Sequence, residues 1–258
     1  MLRFAANIST LFTALPLPAR FAAAAGAGFK AVEMQFPYDH KPAELAAAAQ
    51  AAGVEIVLIN LPAGDFAAGE RGIACIPGRE QEFAAGLAQA QRYALALGCP
   101  RLNCLAGNLP PGGMFHACWD TLVANLRDAA DSFAVQNIAL MIEPLNRVDN
   151  PLFFLDGSPG VRELITAIGK TNVFLQFDSY HSAAAGENMC QQLERGISQI
   201  GHIQISDFPG RGPPGSATLD FARFFRMLEH LPYKGWVGCE YFDPNPDFSW
   251  MRDYALSP

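Results

Sequence analysis

Ile138-Ala139-Leu140-Met141-Ile142-Glu143-Pro144 is the stretch on which the fold of this chain turns. Five apolar residues run into a carboxylate, and a proline follows. A short run rich in large and branched apolar side chains has the pattern of a strand buried on both faces. Proline has no N–H for a ladder and disfavours the helical region at the residue before it, so the strand is expected to end at Glu143. A strand that ends on a carboxylate delivers that group to the C-terminal edge of a parallel sheet, where open α/β sheets and (β/α)8 barrels bind ligands. One such glutamate, taken alone, reads as a solvated residue opening a loop. The same pattern recurs along the chain, and the recurrence changes the reading.

Working outward, apolar runs alternate with helical periodicity eight times. The expected strands are Leu2–Ala6, Ala31–Met34, Glu55–Asn60, Arg101–Leu105, Ile138–Glu143, Val173–Asp178, His202–Ser206 and Trp236–Glu240. Helices are expected between them, with Pro42 opening one and Gly53 closing it, Gly98 closing another, and Ser158-Pro159 supplying an N-cap and first-turn pair. After the sixth strand a weaker helix is expected over about Asn188–Ile200. Two long Gly/Pro-rich loops stand out, Leu61–Gly78 and Phe208–Ser216; loops of that length in compact domains usually carry function. No linker or shift in composition divides the 258 residues, so the expected architecture is α/β, a single (β/α)8 TIM barrel domain over 1–258 with its site at the C-terminal ends of the strands. A doubly wound open sheet is the weaker alternative, because no Gly-rich phosphate fingerprint follows the first strand.

Half of the residues are hydrophobic and 17% are charged, a composition that supports a sizeable core. The net charge of −7 argues against nucleic acid as a partner, since phosphate affinity comes from lysine and arginine. Six scattered cysteines without a C-x-x-C spacing read as reduced, buried side chains of a cytoplasmic protein. No signal peptide and no membrane-spanning apolar run is recognised. Oligomeric state is left open, with a homo-oligomer admitted.

The ends of the later strands carry the chemistry. Strand five ends on Glu143, strand six on Asp178 and strand eight on Glu240, while strand seven places His202 and Gln204 on one face. In a barrel these strands are neighbours and their polar ends converge. Three carboxylates and an amide oxygen need a neutralising charge, and all-oxygen donors favour a hard divalent cation, Mg2+ or Mn2+. His181 and His202 are candidates for a nitrogen ligand or a supporting contact. Arg71, Arg79 and Arg211 lie in the long loops, and arginine suits bidentate binding of a substrate carboxylate; Arg71 and Arg211 are the preferred two. Glu33, at the end of strand two, reads equally well as a structural ion-pair partner.

Several of these segments carry a resemblance. Asn60-Leu-Pro-Ala-Gly-Asp65, continuing through Gly69-Glu70-Arg71-Gly72 and Ile76-Pro77-Gly78-Arg79-Glu80, is the most specific; Ile142-Glu143-Pro144-Leu145-Asn146, Gln176-Phe177-Asp178-Ser179-Tyr180-His181, Gly201-His202-Ile203-Gln204-Ile205-Ser206-Asp207 and Gly235-Trp236-Val237-Gly238-Cys239-Glu240-Tyr241 join it. Together they resemble the hydroxypyruvate isomerase family of xylose-isomerase-like TIM barrels, over essentially the whole chain. The resemblance implies that Glu143 and Glu240 form the catalytic acid/base pair and that Glu143, Asp178, Gln204 and Glu240 surround a metal. The expected reaction interconverts hydroxypyruvate and tartronate semialdehyde through an enediol, with a hydride shift as the competing route, and His181, Arg71, Arg211 and His202 are the candidates for binding this small hydroxy- or oxo-acid. The chain departs from the family at Ser216-Ala217-Thr218, where Thr-Gly-Glu is usual, at Phe208-Pro209-Gly210-Arg211, which lacks a histidine before the arginine, and at Ser182, where methionine is common. The rival readings are an isomerase of 2-oxotetronate-type acids, a sugar 3-epimerase, an endonuclease IV-like repair enzyme, which would require more histidines and a basic groove, and a metal-dependent acid-binding barrel without turnover.

Overall fold

The computed structural model describes residues 2–256. Eight parallel strands close into a barrel in sequence order: β1 (Phe4–Asn7), β2 (Ala31–Met34), β3 (Glu55–Asn60), β4 (Arg101–Cys104), β5 (Ala139–Ile142), β6 (Val173–Asp178), β7 (Ile200–Ile205) and β8 (Val237–Cys239), with β8 pairing back onto β1. The expected (β/α)8 architecture is thereby met. The helices outside it are α1 (Leu17–Gly26), α2 (Pro42–Ala52), α3 (Glu80–Leu97), α4 (Phe115–Ala134), α5 (Gly157–Ile168), α6 (Ser179–Ala184), α7 (Met189–Gly196), α8 (Phe221–His230) and α9 (Trp250–Asp253).

Local chemistry accounts for most of the boundaries. β5 ends at Ile142, one residue before Glu143, because Pro144 offers no donor to continue the ladder. α2 begins at Pro42 and ends against Gly53, whose φ of 66° is the left-handed conformation that closes a helix. α8 is capped by Asp220, which accepts from the Arg223 N–H at 2.9 Å. Ser158 does not cap α5 as expected. The helix starts at Gly157, and Glu187 reaches over from the α6–α7 turn to accept from the Ser158 N–H and Oγ, each at 2.7 Å. A distant carboxylate serves this helix end better than a local hydroxyl, because it complements the helix dipole and two donors at once. The unexpected helix is α6, a short turn that begins directly on Asp178.

The seam between β8 and β1 is covered by aromatic packing. Phe4 of β1 meets Phe225 of α8 and Trp250 of α9 edge-on at 5.9 and 6.0 Å, and Phe225 stacks on Trp250 at 6.1 Å. Such pairs add about 0.5–1.5 kcal/mol each beyond the area they bury, so the terminal helix fastens the closing strand pair.

The barrel interior is polar in its upper half. Register places Asn7 beside Glu33, Asn60 beside Asn103, Gln176 beside His202, and Asp178 beside Gln204, which in turn lies beside Gly238. Glu33 is fully buried and reaches across the barrel: its carboxylate accepts from Asn7 at 2.9 Å and Gln204 at 2.8 Å, and His202 Nε2 lies 2.5 Å away. The reach is possible because position 238 has no side chain; a Cβ there would fall inside the Glu33 carboxylate.

Candidate active site

β5, β6 and β8 deliver Glu143, Asp178 and Glu240 to one end of the barrel, around a cavity of about 600 Å³. Its walls include Gln35, Phe66, Arg71, Glu143, Asp149, Asn150, Tyr180, His181, Arg211 and Glu240. All three carboxylates are at most 4% exposed. Glu143 Oε2 accepts from the amides of Asn103 (2.8 Å) and Gln176 (3.1 Å), which orients the group and leaves Oε1 toward the cavity. Asp178 Oδ1 caps α6, accepting from the Tyr180 N–H at 2.7 Å and the His181 N–H at 3.3 Å, so Oδ2 is the oxygen left for the site. Glu240 Oε1 accepts from Gln35 at 2.7 Å.

One guanidinium serves this group. Arg211 Nη2 lies 3.5 Å from Asp178 Oδ2 and 3.4 Å from Glu240 Oε1, with its plane near Tyr180 and Phe242. The loop after β7 holds it there. The buried Asp207 carboxylate accepts from the main-chain N–H groups of Phe208, Gly215, Ala217 and Leu219 between 2.8 and 3.0 Å, winding the Gly/Pro-rich segment into a frame. Arg211 sits in that frame with a φ of 55°, a left-handed backbone that non-glycine residues seldom adopt.

The electrostatics follow from burial. Loss of water, then the charges of Glu240 and Asp178, push the Glu143 carboxyl well above the ordinary carboxylate range, with Arg211 and Asn103 pulling the other way. Burial lifts Glu240 to about 8, opposed by Arg211 and reinforced by Asp178 and Glu33. Burial lowers His181 to about 4 although Asp178 attracts a proton to it. Burial also works against the Arg211 charge, but Glu240, Asp178 and Glu143 outweigh it and the guanidinium stays firmly protonated.

Three carboxylates facing one guanidinium leave two negative charges uncompensated if all are ionised. That imbalance, together with oxygen-rich donors, fits a divalent cation. Glu143, Asp178 and His181 each bring one donor atom within 4.8 Å of the others. Gln204 sits slightly deeper: its amide oxygen accepts from Gln176 at 2.7 Å and its nitrogen donates to Glu33.

Of the residues singled out from sequence, Glu143, Glu240, His181, Arg71 and Arg211 line the cavity, and Asp178 borders it through Arg211 and His181. His202 is not in the cavity wall. It lies fully buried beneath it, bound to Glu33, so the structure places it as a support for the floor and not against a bound ligand. Arg79 is likewise elsewhere, in ion pairs with Glu70 and Glu82 on the outside of its loop. Those pairs fasten the segment that presents Arg71. Arg71 itself stacks over Phe66 at 4.1 Å and donates to Asn150 Oδ1 at 3.2 Å. Gln35, Asn103, Gln176, Asp149 and Tyr180 were not singled out. The signal for Gln35 and Gln176 was present: each lies two residues from a carboxylate already on an inward face, Glu33 and Asp178.

The sequence pattern described as "Xylose isomerase-like TIM barrel" matches residues 21–255. Hydroxypyruvate isomerase of Escherichia coli K12 is 46% identical over 241 residues, 93% of each chain. The 2-oxo-tetronate isomerase of Cupriavidus necator is 38% identical over 257 residues, 98% of this chain and 99% of the relative. Among solved structures, one from Brucella melitensis described as AP endonuclease, family 2, superposes with a TM-score of 0.94 at 38% identity over 98% of this chain and 99% of that one. With its closed barrel, its carboxylate-lined cavity and full-length relatives that are named isomerases, the chain belongs to the xylose isomerase-like TIM barrel family and is an isomerase.

Proposed function

We propose that this chain, acting as one barrel domain, interconverts hydroxypyruvate and tartronate semialdehyde by proton transfer between Glu143 and Glu240. The observation that carries the reading is the pair itself. Two buried carboxylates from β5 and β8 border one cavity, and each has one oxygen tied by amide hydrogen bonds and the other oxygen unencumbered. The 46% identity to hydroxypyruvate isomerase supports the substrate.

A proton leaves C3 to one glutamate as O2 takes up a proton to give the enediol, and the other glutamate returns a proton to C2 as the O3 hydroxyl releases its proton and becomes the aldehyde. Each positioned proton transfer contributes about 10²- to 10⁴-fold. Burial raises the proton affinity of both groups, bringing Glu240 to about 8, which suits that carboxyl to hold and release a proton in the reaction. Arg71, on an aromatic base and without a carboxylate partner among the described residues, is the cation for the substrate carboxylate. Arg211 steadies Asp178 and Glu240 and borders the same space. Glu143, Asp178, Gln204 and Glu240 would hold a divalent cation, Mg2+ or Mn2+, which when bound supplies charge stabilisation to the oxygens of the enediolate. The acidic net charge supports a small acid over nucleic acid as the substrate class.

A second reading, isomerisation of a 2-oxo-tetronate, is favoured by the 38% identity to the enzyme of that name and by a cavity large enough for a fourth carbon. Proton NMR of hydroxypyruvate with the metal-supplemented protein in D2O tests the first reading. Deuterium at C2 of the product supports proton transfer, product without deuterium favours a hydride shift, and no product refutes hydroxypyruvate as substrate and sends the assay to 2-oxo-tetronate.

A further inference from the structure

His181 stands in the cavity wall on α6, and its two ring nitrogens meet different surroundings. On the Nδ1 side lies Asn146, in the loop after β5. The Asn146 main-chain N–H points at Nδ1 from 3.1 Å. A main-chain N–H can only donate, so Nδ1 must offer a lone pair. The Asn146 side-chain nitrogen lies 2.7 Å from the same atom. Its identity as nitrogen is fixed from elsewhere: Asn146 Oδ1 accepts from the Asp149 N–H at 2.9 Å, while Nδ2 donates to Asp149 Oδ2 at 3.0 Å. Asp149 is held in turn by the Tyr180 hydroxyl at 2.9 Å. Both groups facing Nδ1 are therefore donors. On the other side Nε2 faces the cavity, 4.0 Å from Glu143 Oε1, a gap wider than a hydrogen bond.

We propose that Asn146 is a positioning residue whose two amide groups lock His181 in the tautomer with the proton on Nε2, making the imidazole a neutral hydrogen-bond donor to an oxygen of the bound acid and not a metal ligand. A protonated Nε2 has no lone pair for a cation, and Nδ1 has its lone pair occupied. The proximity of His181 to Glu143 and Asp178 is then that of a donor beside a metal site. The cation is left with oxygen donors alone, which selects hard ions over zinc. The role toward substrate rests on the isomerase reading above; the tautomer does not.

The test is long-range 1H–15N correlation NMR of the 15N-histidine-labelled full-length protein, without substrate, before and after adding Mg2+ and then Zn2+. The His181 signals are assigned by their loss in His181→Gln. The expected result is a protonated Nε2 and a bare Nδ1 in the metal-free protein, unchanged with Mg2+. A proton on Nδ1, or loss of the Nε2 proton when metal is added, overturns the proposal. Asn146→Asp keeps the main-chain donor on Nδ1 and replaces the side-chain donor with an acceptor, so the Nδ1 resonance is expected to shift from its wild-type position; an Nδ1 signal identical to wild type refutes the positioning role of the side chain. Should Asn146→Asp fail to fold, calorimetric titration of His181→Gln with Mg2+ decides. A loss within the roughly 10- to 100-fold by which supporting residues weaken a metal site agrees with the proposal, and a loss well beyond about 100-fold, as expected for removal of a ligand, overturns it. Because no step uses substrate, a failure to turn over hydroxypyruvate would leave the tautomer result standing, and a reversed tautomer in an active enzyme would sink only this inference.

Discussion

Glu240→Gln separates the stability of this barrel from its chemistry. In the metal-free protein burial raises the Glu240 carboxyl from 4.5 to about 8. The unfolded chain gives up this proton near pH 4.5, whereas the folded chain keeps it until about 8. Between those values the folded state binds more protons, so stability falls as pH rises. The penalty is absent below the unfolded value and complete above the folded one. At about 1.36 kcal/mol per pH unit it amounts to about 3 kcal/mol at pH 7 and about 5 kcal/mol above pH 9. The Glu240→Gln variant escapes it, since the amide oxygen of the new side chain can accept from Gln35 and Arg211 as the carboxylate does. At about 2–4 °C per kcal/mol for a chain of this size, the variant should melt roughly 6–12 °C above wild type at pH 7 without metal. The gap should widen toward pH 9, vanish near pH 4.5, and shrink when Mg2+ is added to wild type. Activity should fall about 10²- to 10⁴-fold. Scanning calorimetry in EDTA across the pH range checks the first part and an isomerase assay the second. A variant that melts at or below the wild-type temperature at pH 8, with the same pH slope, would refute the account of Glu240 as a buried, uncompensated acid.

Further outcomes are expected elsewhere in the site. Arg71→Met should raise KM for the acid by about 10- to 100-fold with a smaller change in kcat, since a charge-assisted hydrogen bond contributes about 1.5–3 kcal/mol; steady-state kinetics read the split. Asp207→Ala removes the buried acceptor of four part-buried main-chain N–H groups and should cost about 1–3 kcal/mol in urea unfolding, while the Arg211 loop becomes sensitive to proteolysis. Glu33→Gln keeps the shape but leaves His202 and Gln204 competing for a neutral oxygen; a loss of about 3 kcal/mol in the same assay is expected from breaking a buried pair. Gly72→Ala should unfold the Arg71 loop or the chain, because its φ is 96° and a Cβ would collide with the Leu105 carbonyl.

How far the sequence carried depended on whether a feature was local. Strands β2, β3 and β6 run over the residues that the apolar runs marked, because each is bounded by its own proline, glycine or carboxylate. Glu143 and Glu240 were legible as strand-end carboxylates for the same reason. The α5 cap was not, since Glu187 comes from far along the chain and no spacing rule connects it to Ser158. α6 was missed because Asp178 was read as a strand end only, although a carboxylate followed by Ser-Tyr-His can also start a helix. His202 looked equivalent to Gln204 by its two-residue spacing; depth along the strand, which spacing does not encode, put one beneath the cavity and the other near it. Asn146 stood in a family-like segment, but nothing in the sequence marked its role, which lies in a main-chain N–H aimed at a side chain 35 residues away.

The empty position at Gly238 has a meaning for how this barrel can change over time. Glu33 occupies the room that a side chain on β8 would take, and it organises Asn7, His202 and Gln204 from there. Neither site can drift alone. A larger residue at 238 is lethal to the network while Glu33 remains, and a smaller residue at 33 opens a void that only a gain at 238 would fill. Descendants of this sequence should therefore lose or keep the two residues together, and a double substitution such as Glu33→Ala with Gly238→Leu should be better tolerated than either half of it.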